Sequence, residues 1–148
     1  MTLSRPQRIC RPEPPGSLLK RITAATPRRV GAEPKGSDPK YLEEVRQLPC
    51  LKCGVEGCEP AHVRFASAAF GKSSGMQKKP NDAHAVPLCA GRHRLDRDAQ
   101  HNRGERLFWA ELGINPLLVA QRLYGQRGDL VAMRAVVLVA IAERSKQP

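Results

Sequence analysis

Residues 50–93 read CLKCGVEGCEPAHVRFASAAFGKSSGMQKKPNDAHAVPLCAGRH, and their reading decides the fold. Cys50 and Cys53 form a Cys-x2-Cys knuckle, Cys58 follows five residues later, and Cys89 and His93 close the far end. Four of the chain's five cysteines and three of its four histidines fall inside the stretch. Two thiolates at knuckle spacing grip one tetrahedral ion. The first twenty residues hold no continuous apolar core, so no secretory signal is read there. Cysteine density in such a basic chain points to a metal site rather than a disulfide framework. Cys50, Cys53, Cys58 and Cys89 together would close one zinc and tie a hairpin to the segment before it. If Cys58 is instead a small buried hydrophobe, His93 or a water completes the ion.

Outward from this stretch, PAHVRF (60–65) and HAVPL (84–88) have the composition of short strands. Residues 66–81, with Gly71, Gly75, Pro80 and three serines, read as the loop between them. A helix is predicted from Cys89 or Ala90, placing Arg92, His93 and Asp96 on adjoining faces. Upstream, Asp38 and Pro39 suit the N-cap and first position of a helix that Pro49 ends. Downstream, Glu105–Leu112 ends at Gly113, Asn115 and Pro116 start a helix to about Tyr124, and Asp129 caps a last helix over 130–144. Leu130, Val131, Val137, Leu138 and Ile141 are expected to form its buried stripe. The class is α+β, organised as a flexible basic arm (1–37), a zinc-stapled domain (38–124) and a C-terminal helical segment packed on it (125–148). Cys10 lies in the arm as a free thiol. The arm's arginines and lysines are spread among prolines, and it buries too little apolar surface to offset its ordering entropy.

The 148-residue chain carries a net charge of +11, which suits a phosphate-rich partner. The longest apolar run, Ala135 to Ala142, is far shorter than the roughly 20 residues needed to span a bilayer. Nucleic acid is therefore favoured over a membrane, and a cytoplasmic location is expected. Aromatic residues make up 4%, too few for a large base-stacking platform. The core must be small and aliphatic, and a small core gains from a metal staple.

His62 sits in the first strand candidate beside Arg64, and His93 at the start of a helix candidate. A strand histidine and a helix histidine converging beside a zinc knuckle is a hydrolytic geometry: one acts as base, the other holds a divalent ion. The knuckle, AHVR (61–64), KKPND (78–82), VPLC (86–89) and His93 together resemble the HNH, or ββα-metal, endonucleases, and more narrowly their compact phage and prophage forms. The similarity continues through GERLFW (104–109) and GINP (113–116).

That resemblance implies a small ββα-metal core, a structural zinc and a catalytic Mg2+, Mn2+ or Zn2+. It maps the general base to His62 and the helix metal ligand to His93. The middle residue of the motif is either His84 or Asp82. The family usually has a second metal ligand just before the base, where this chain has Ala61. His101, Asp98, Asp82 and Glu59 are the candidates to replace it. Arg92 stands where many relatives close the zinc, which favours Cys58 for that role. Arg64, Lys78, Lys79, Arg92 and Arg94 are the expected phosphate contacts, of weak sequence specificity. The expected activity is hydrolysis of DNA phosphodiesters in recombination or DNA processing. The alternatives are a non-catalytic zinc-stapled nucleic-acid-binding module and an accessory protein that docks on a recombination or replication complex.

Overall fold

In a computed structural model, residues 36–73 and 80–144 are described; residues 1–35 of the basic arm, with Cys10, and Lys78 and Lys79 lie outside them. Among the described residues the architecture is α+β, with five α-helices and one two-stranded sheet. Helix α1 (Pro39–Arg46) begins where Asp38 accepts from the Tyr41 amide at 3.1 Å, with Pro39 at the first helical position. Strands β1 (Glu59–His62) and β2 (Ala85–Leu88) pair antiparallel, with Glu59 opposite Leu88 and His62 opposite Ala85. Both are shorter than the sequence suggested. The loop between them holds a 3-10 turn (Ala68–Phe70) and a bridge between Ser67 and Lys72.

Pro60 faces Pro87 across the sheet. The Val63 amide bonds the His84 carbonyl, so alternation along the ladder leaves Pro60 and Pro87 at a pair whose backbone groups point outward. Neither missing N–H therefore weakens the sheet. The outward carbonyls are satisfied elsewhere: Ala85 O accepts from the Tyr41 hydroxyl at 2.9 Å and Pro87 O from the Leu51 amide at 3.2 Å. These two bonds fasten α1 and the knuckle to β2.

After β2 the chain departs from the predicted helix. A first α-type bond from the His93 amide to Cys89 O gives way to a single π-helical turn, Gly91–Leu95, closed by the Asp96 amide on Gly91 O. A Cβ on Gly91 would lie 3.0 Å from an Asp96 carboxylate oxygen, the end of an exposed side chain. Asp96 then pairs with Arg92 at 3.3 Å.

A short helix α2 (Gln100–Arg103) precedes α3 (Glu105–Leu112), α4 (Pro116–Gly125) and α5 (Leu130–Arg144). Asn115 caps α4 and Asp129 caps α5 through side-chain bonds to their first amides. The core joins Tyr41, Val45 and Leu48 to Ala61, Val63, Val86 and Leu88, with Leu117, Leu123, Met133 and Val137 closing it.

The stripe expected on α5 is corrected. Met133, Val137 and Ala140 face inward, whereas Val131 is 81% and Leu138 53% exposed. Hydrophobicity cannot select a face on a helix that is apolar nearly all round. Polar tethers do so instead: Arg134 bonds Glu56 and Gln47 O, and Arg144 bonds the carbonyls of Leu51 and Lys52. Among the described residues, no helix is long and apolar enough to cross a membrane.

Candidate metal centre and histidine cleft

The knuckle is a backbone turn. The Gly54 amide bonds Cys50 O at 2.8 Å and the Cys50 amide bonds Val55 O at 2.9 Å. Gly54 has φ +73°, a left-handed conformation that glycine adopts without strain. The turn brings the thiols of Cys50 and Cys53 to that of Cys89, all within 4.8 Å of one another. Cys53 Sγ and Cys89 Sγ are 3.6 Å apart. Ligands about 2.3 Å from a tetrahedral zinc would lie about 3.8 Å from each other, so the three thiols fit such an ion. These three cysteines could hold a metal ion. Cys58, expected as the fourth ligand, lies outside that group. Its thiol meets Cys50 and donates to Val55 O at 3.6 Å. The contact between the two thiols lowers Cys50, while the same contact and burial push Cys58 up. Burial raises Cys89 to about 11.

A second cluster surrounds the histidines. The 3-10 turn Asp82–His84 opens with Asn81 accepting from the Ala83 amide, and it presents Asp82 to His62. Asp82 is 2% exposed. Its Oδ1 lies 2.8 Å from His62 Nε2, and its Oδ2 accepts the Asp38 amide at 2.8 Å. A Cβ on Gly36 would press within 3.1 Å of the Asn81 side chain, so glycine at φ +87° allows the strap Asp82 N to Gly36 O. A carboxylate only accepts, so neutral His62 carries its proton on Nε2 and leaves Nδ1 as the ring's acceptor. Of the two candidates for the middle position, Asp82 holds the histidine. His84 instead sits half-buried near His62 and Lys72, its imidazole lowered first by burial and then by the Lys72 ammonium.

His93 is arranged in the same way. Its Nδ1 is 2.9 Å from Glu59 Oε2, leaving Nε2 as the open nitrogen. The His101 ring stands edge-on to His93, centroids 4.5 Å apart. Burial, then the neighbouring His93, lower the His101 imidazole below its usual range. Asp98, once a candidate beside them, is engaged by Lys52 at 2.6 Å and by Arg92. Ala61 is fully buried in the core, so no ligand could be offered from its position.

Beside His62 lies an open cavity of about 280 Å3 lined by His62, Arg64, Gln100, His101 and Glu105. Of the expected phosphate contacts, Arg64 reaches it. Arg92 is instead paired with Asp96 and Asp98, and Arg94 with Glu59 at 2.8 Å, so carboxylates already engage both guanidinium groups. The sequence reading missed Gln100 and Glu105. Glu105 accepts the Arg64 amide with both carboxylate oxygens, at 2.9 and 3.0 Å, which fixes the start of the loop leaving β1. It lies inside GERLFW, so the resemblance touched it without marking it; nothing local distinguishes Gln100. Lys72 was missed as well: its ammonium donates to the carbonyls of Arg64 and Phe65. No protein-family model, curated protein or solved structure matches the chain.

Proposed function

We propose that the protein is an HNH-type endonuclease that hydrolyses DNA phosphodiesters with weak sequence specificity. The observation that carries this reading is one open cavity with a carboxylate-held histidine, His62, on one side and His101, packed against His93, on the other. The first is what a general base requires and the second is what a divalent ion requires. On this reading β1, β2 and the turn after them form the ββα-metal core.

Cys50, Cys53 and Cys89 would hold a structural zinc, and Cys58 would complete it only if its thiol turned from Val55 O to the ion. His93 Nε2 and a nitrogen of His101 hold the catalytic ion, and Glu59 fixes the His93 ring. Such an ion, Mg2+, Mn2+ or Zn2+, supplies Lewis-acid stabilisation of charge on the phosphate. His62 Nδ1 removes a proton from the attacking water, and Asp82 holds the ring in the tautomer that can accept it. Arg64 meets the phosphate and, as a backbone contact, reads no sequence.

A plasmid and labelled-oligonucleotide assay with Mg2+, Mn2+ or EDTA tests the reading. Metal-dependent nicking is expected, lowered roughly 10²–10⁴-fold in His62→Ala, the usual contribution of a general base, and lost in His93→Ala. DNA binding without cleavage in any metal would favour the second reading. That reading is a zinc-stapled nucleic-acid-binding module, or an accessory protein of a recombination or replication complex. It draws on the buried Ala61 at a position that normally supplies a ligand.

A further inference from the structure

Cations gather on the segment that leaves β1. Lys72 reaches it from the loop and donates to Arg64 O at 3.1 Å and to Phe65 O at 3.0 Å. Arg106 reaches it from α3. Its guanidinium carbon lies 4.9 Å from the centroid of the Phe65 ring, and Nη2 donates to Ala66 O at 3.4 Å. Arg64 itself lines the cavity. The carboxylate among them, Glu105, turns both oxygens to the Arg64 amide. Arginines elsewhere are placed differently. Arg46, Arg92, Arg94, Arg103 and Arg134 each hold a carboxylate within 3.3 Å. Arg64 and Arg106 are exposed and form no ion pair among the described residues. Arg97 and Arg122 share that freedom, but no ring or carbonyl among the described residues orients them.

Phe65 and Ala66 O restrict the Arg106 side chain before any ligand arrives. A guanidinium already stacked on an aromatic face loses less freedom when it binds an oxyanion. Arginine has five N–H donors and Ala66 O takes one, so the others are left for an acceptor. A small anion needs only one such group. A phosphodiester backbone repeats its charge at every nucleotide and can engage several along its path. Ala66 lies at most about 7 Å of chain from Arg64, so a strand that meets Arg64 at the cavity is within reach of Arg106. We propose that Arg106, steered by Phe65, anchors the nucleic-acid backbone at a phosphate other than the one at the cavity. The proposal rests on the nucleic-acid part of the functional reading and is independent of cleavage. Such a contact sets the path of the strand and reads no base.

Fluorescence anisotropy of a labelled DNA duplex, with no divalent metal added, tests this over 50–200 mM salt. Arg106→Ala should lower the slope of log affinity against log salt by about 1. Its affinity deficit should then be roughly threefold larger at 50 than at 200 mM. Arg106→Lys keeps the charge and should keep the slope, at lower affinity because the planar fork is gone. Arg103→Ala, whose guanidinium is held by Glu111, should leave the slope at the wild-type value. Melting temperatures are read alongside. If Arg106→Ala does not fold, Arg106→Gln, which can still donate to Ala66 O, is measured with the same expectation. A folded, uncharged variant with the wild-type slope overturns the assignment, whether or not the wild type cleaves. The expected slope change in a protein that binds but never cleaves supports it while removing the nuclease reading. A wild type that binds no DNA at any salt overturns both.

Discussion

Asp82 illustrates how little latitude single side chains have here. One oxygen takes the Asp38 amide and the other holds His62 Nε2. In Asp82→Asn only one oxygen remains. If it keeps the Asp38 amide, the new NH2 faces His62, which must then accept on Nε2 and carry its proton on Nδ1. The base is blocked with the fold retained, and single-turnover cleavage should fall by roughly 10²-fold or more at unchanged DNA affinity. Glu59 gives a second test. Arg94, then His93, bring its carboxyl down from 4.5 to about 2. A folded-state value below the unfolded one stabilises above pH 4.5, and the benefit fades as pH falls toward 2. Urea unfolding of Glu59→Gln and wild type should differ by on the order of 1 kcal/mol at pH 6, the scale of a solvent-screened pair, and converge near pH 2. His62 and His93 were legible because motif residues of distinctive chemistry carry them. The choice of Asp82 over His84 was not, because both lie in one 3-10 turn and only its rotation decides which reaches the ring.

Elements divide along the same line. The starts of α1, α4 and α5 were readable because a cap is local chemistry: Asp38 with Pro39, Asn115 with Pro116, and Asp129. The π-helical turn was not, because nothing local marks it and its side chains meet a partner distant in sequence, Glu59 with His93 and Arg94. The inward face of α5 was misread because its tethers lie on distant segments. Met133→Ala should therefore lower stability by about 2–5 kcal/mol, the usual range for a buried methionine. Leu138→Ala, on the exposed side, should stay within about 0.5 kcal/mol; chemical denaturation of both variants checks the assignment. The thiol cluster joins the knuckle to the end of β2, so metal there would link elements that share only a small core. Calorimetry with and without a strong chelator should show a melting temperature lower by about 10 °C or more on stripping, given about 4–8 °C per kcal/mol for a domain this small. Cys89→Ser should reproduce that shift and lose bound zinc by elemental analysis.

At the scale of the whole molecule, the charge of +11 suggests a larger nucleic-acid footprint than the described surface supplies. Arg92 and Arg94 are offset by Asp96, Asp98 and Glu59, so they should contribute less to phosphate binding than their number implies. Raising salt from 50 to 200 mM should weaken DNA binding roughly 10²-fold if about four phosphates are contacted. Arg64→Ala should reduce the slope of log affinity against log salt by about 1, and Arg94→Ala should change it less. Fluorescence anisotropy across a salt series measures all three proteins. The α+β class was legible from the whole chain, because short strand signals and capped helices alternate along it. The cavity was not, because Gln100 and Glu105 acquire their roles only when α2 and α3 fold against β1. The facing prolines of the sheet have one more effect. With the outward carbonyls of Ala85 and Pro87 already taken by Tyr41 and Leu51, that margin of β2 offers no free row of groups to an incoming strand. Along β2, a second molecule therefore finds nothing on which to extend the sheet.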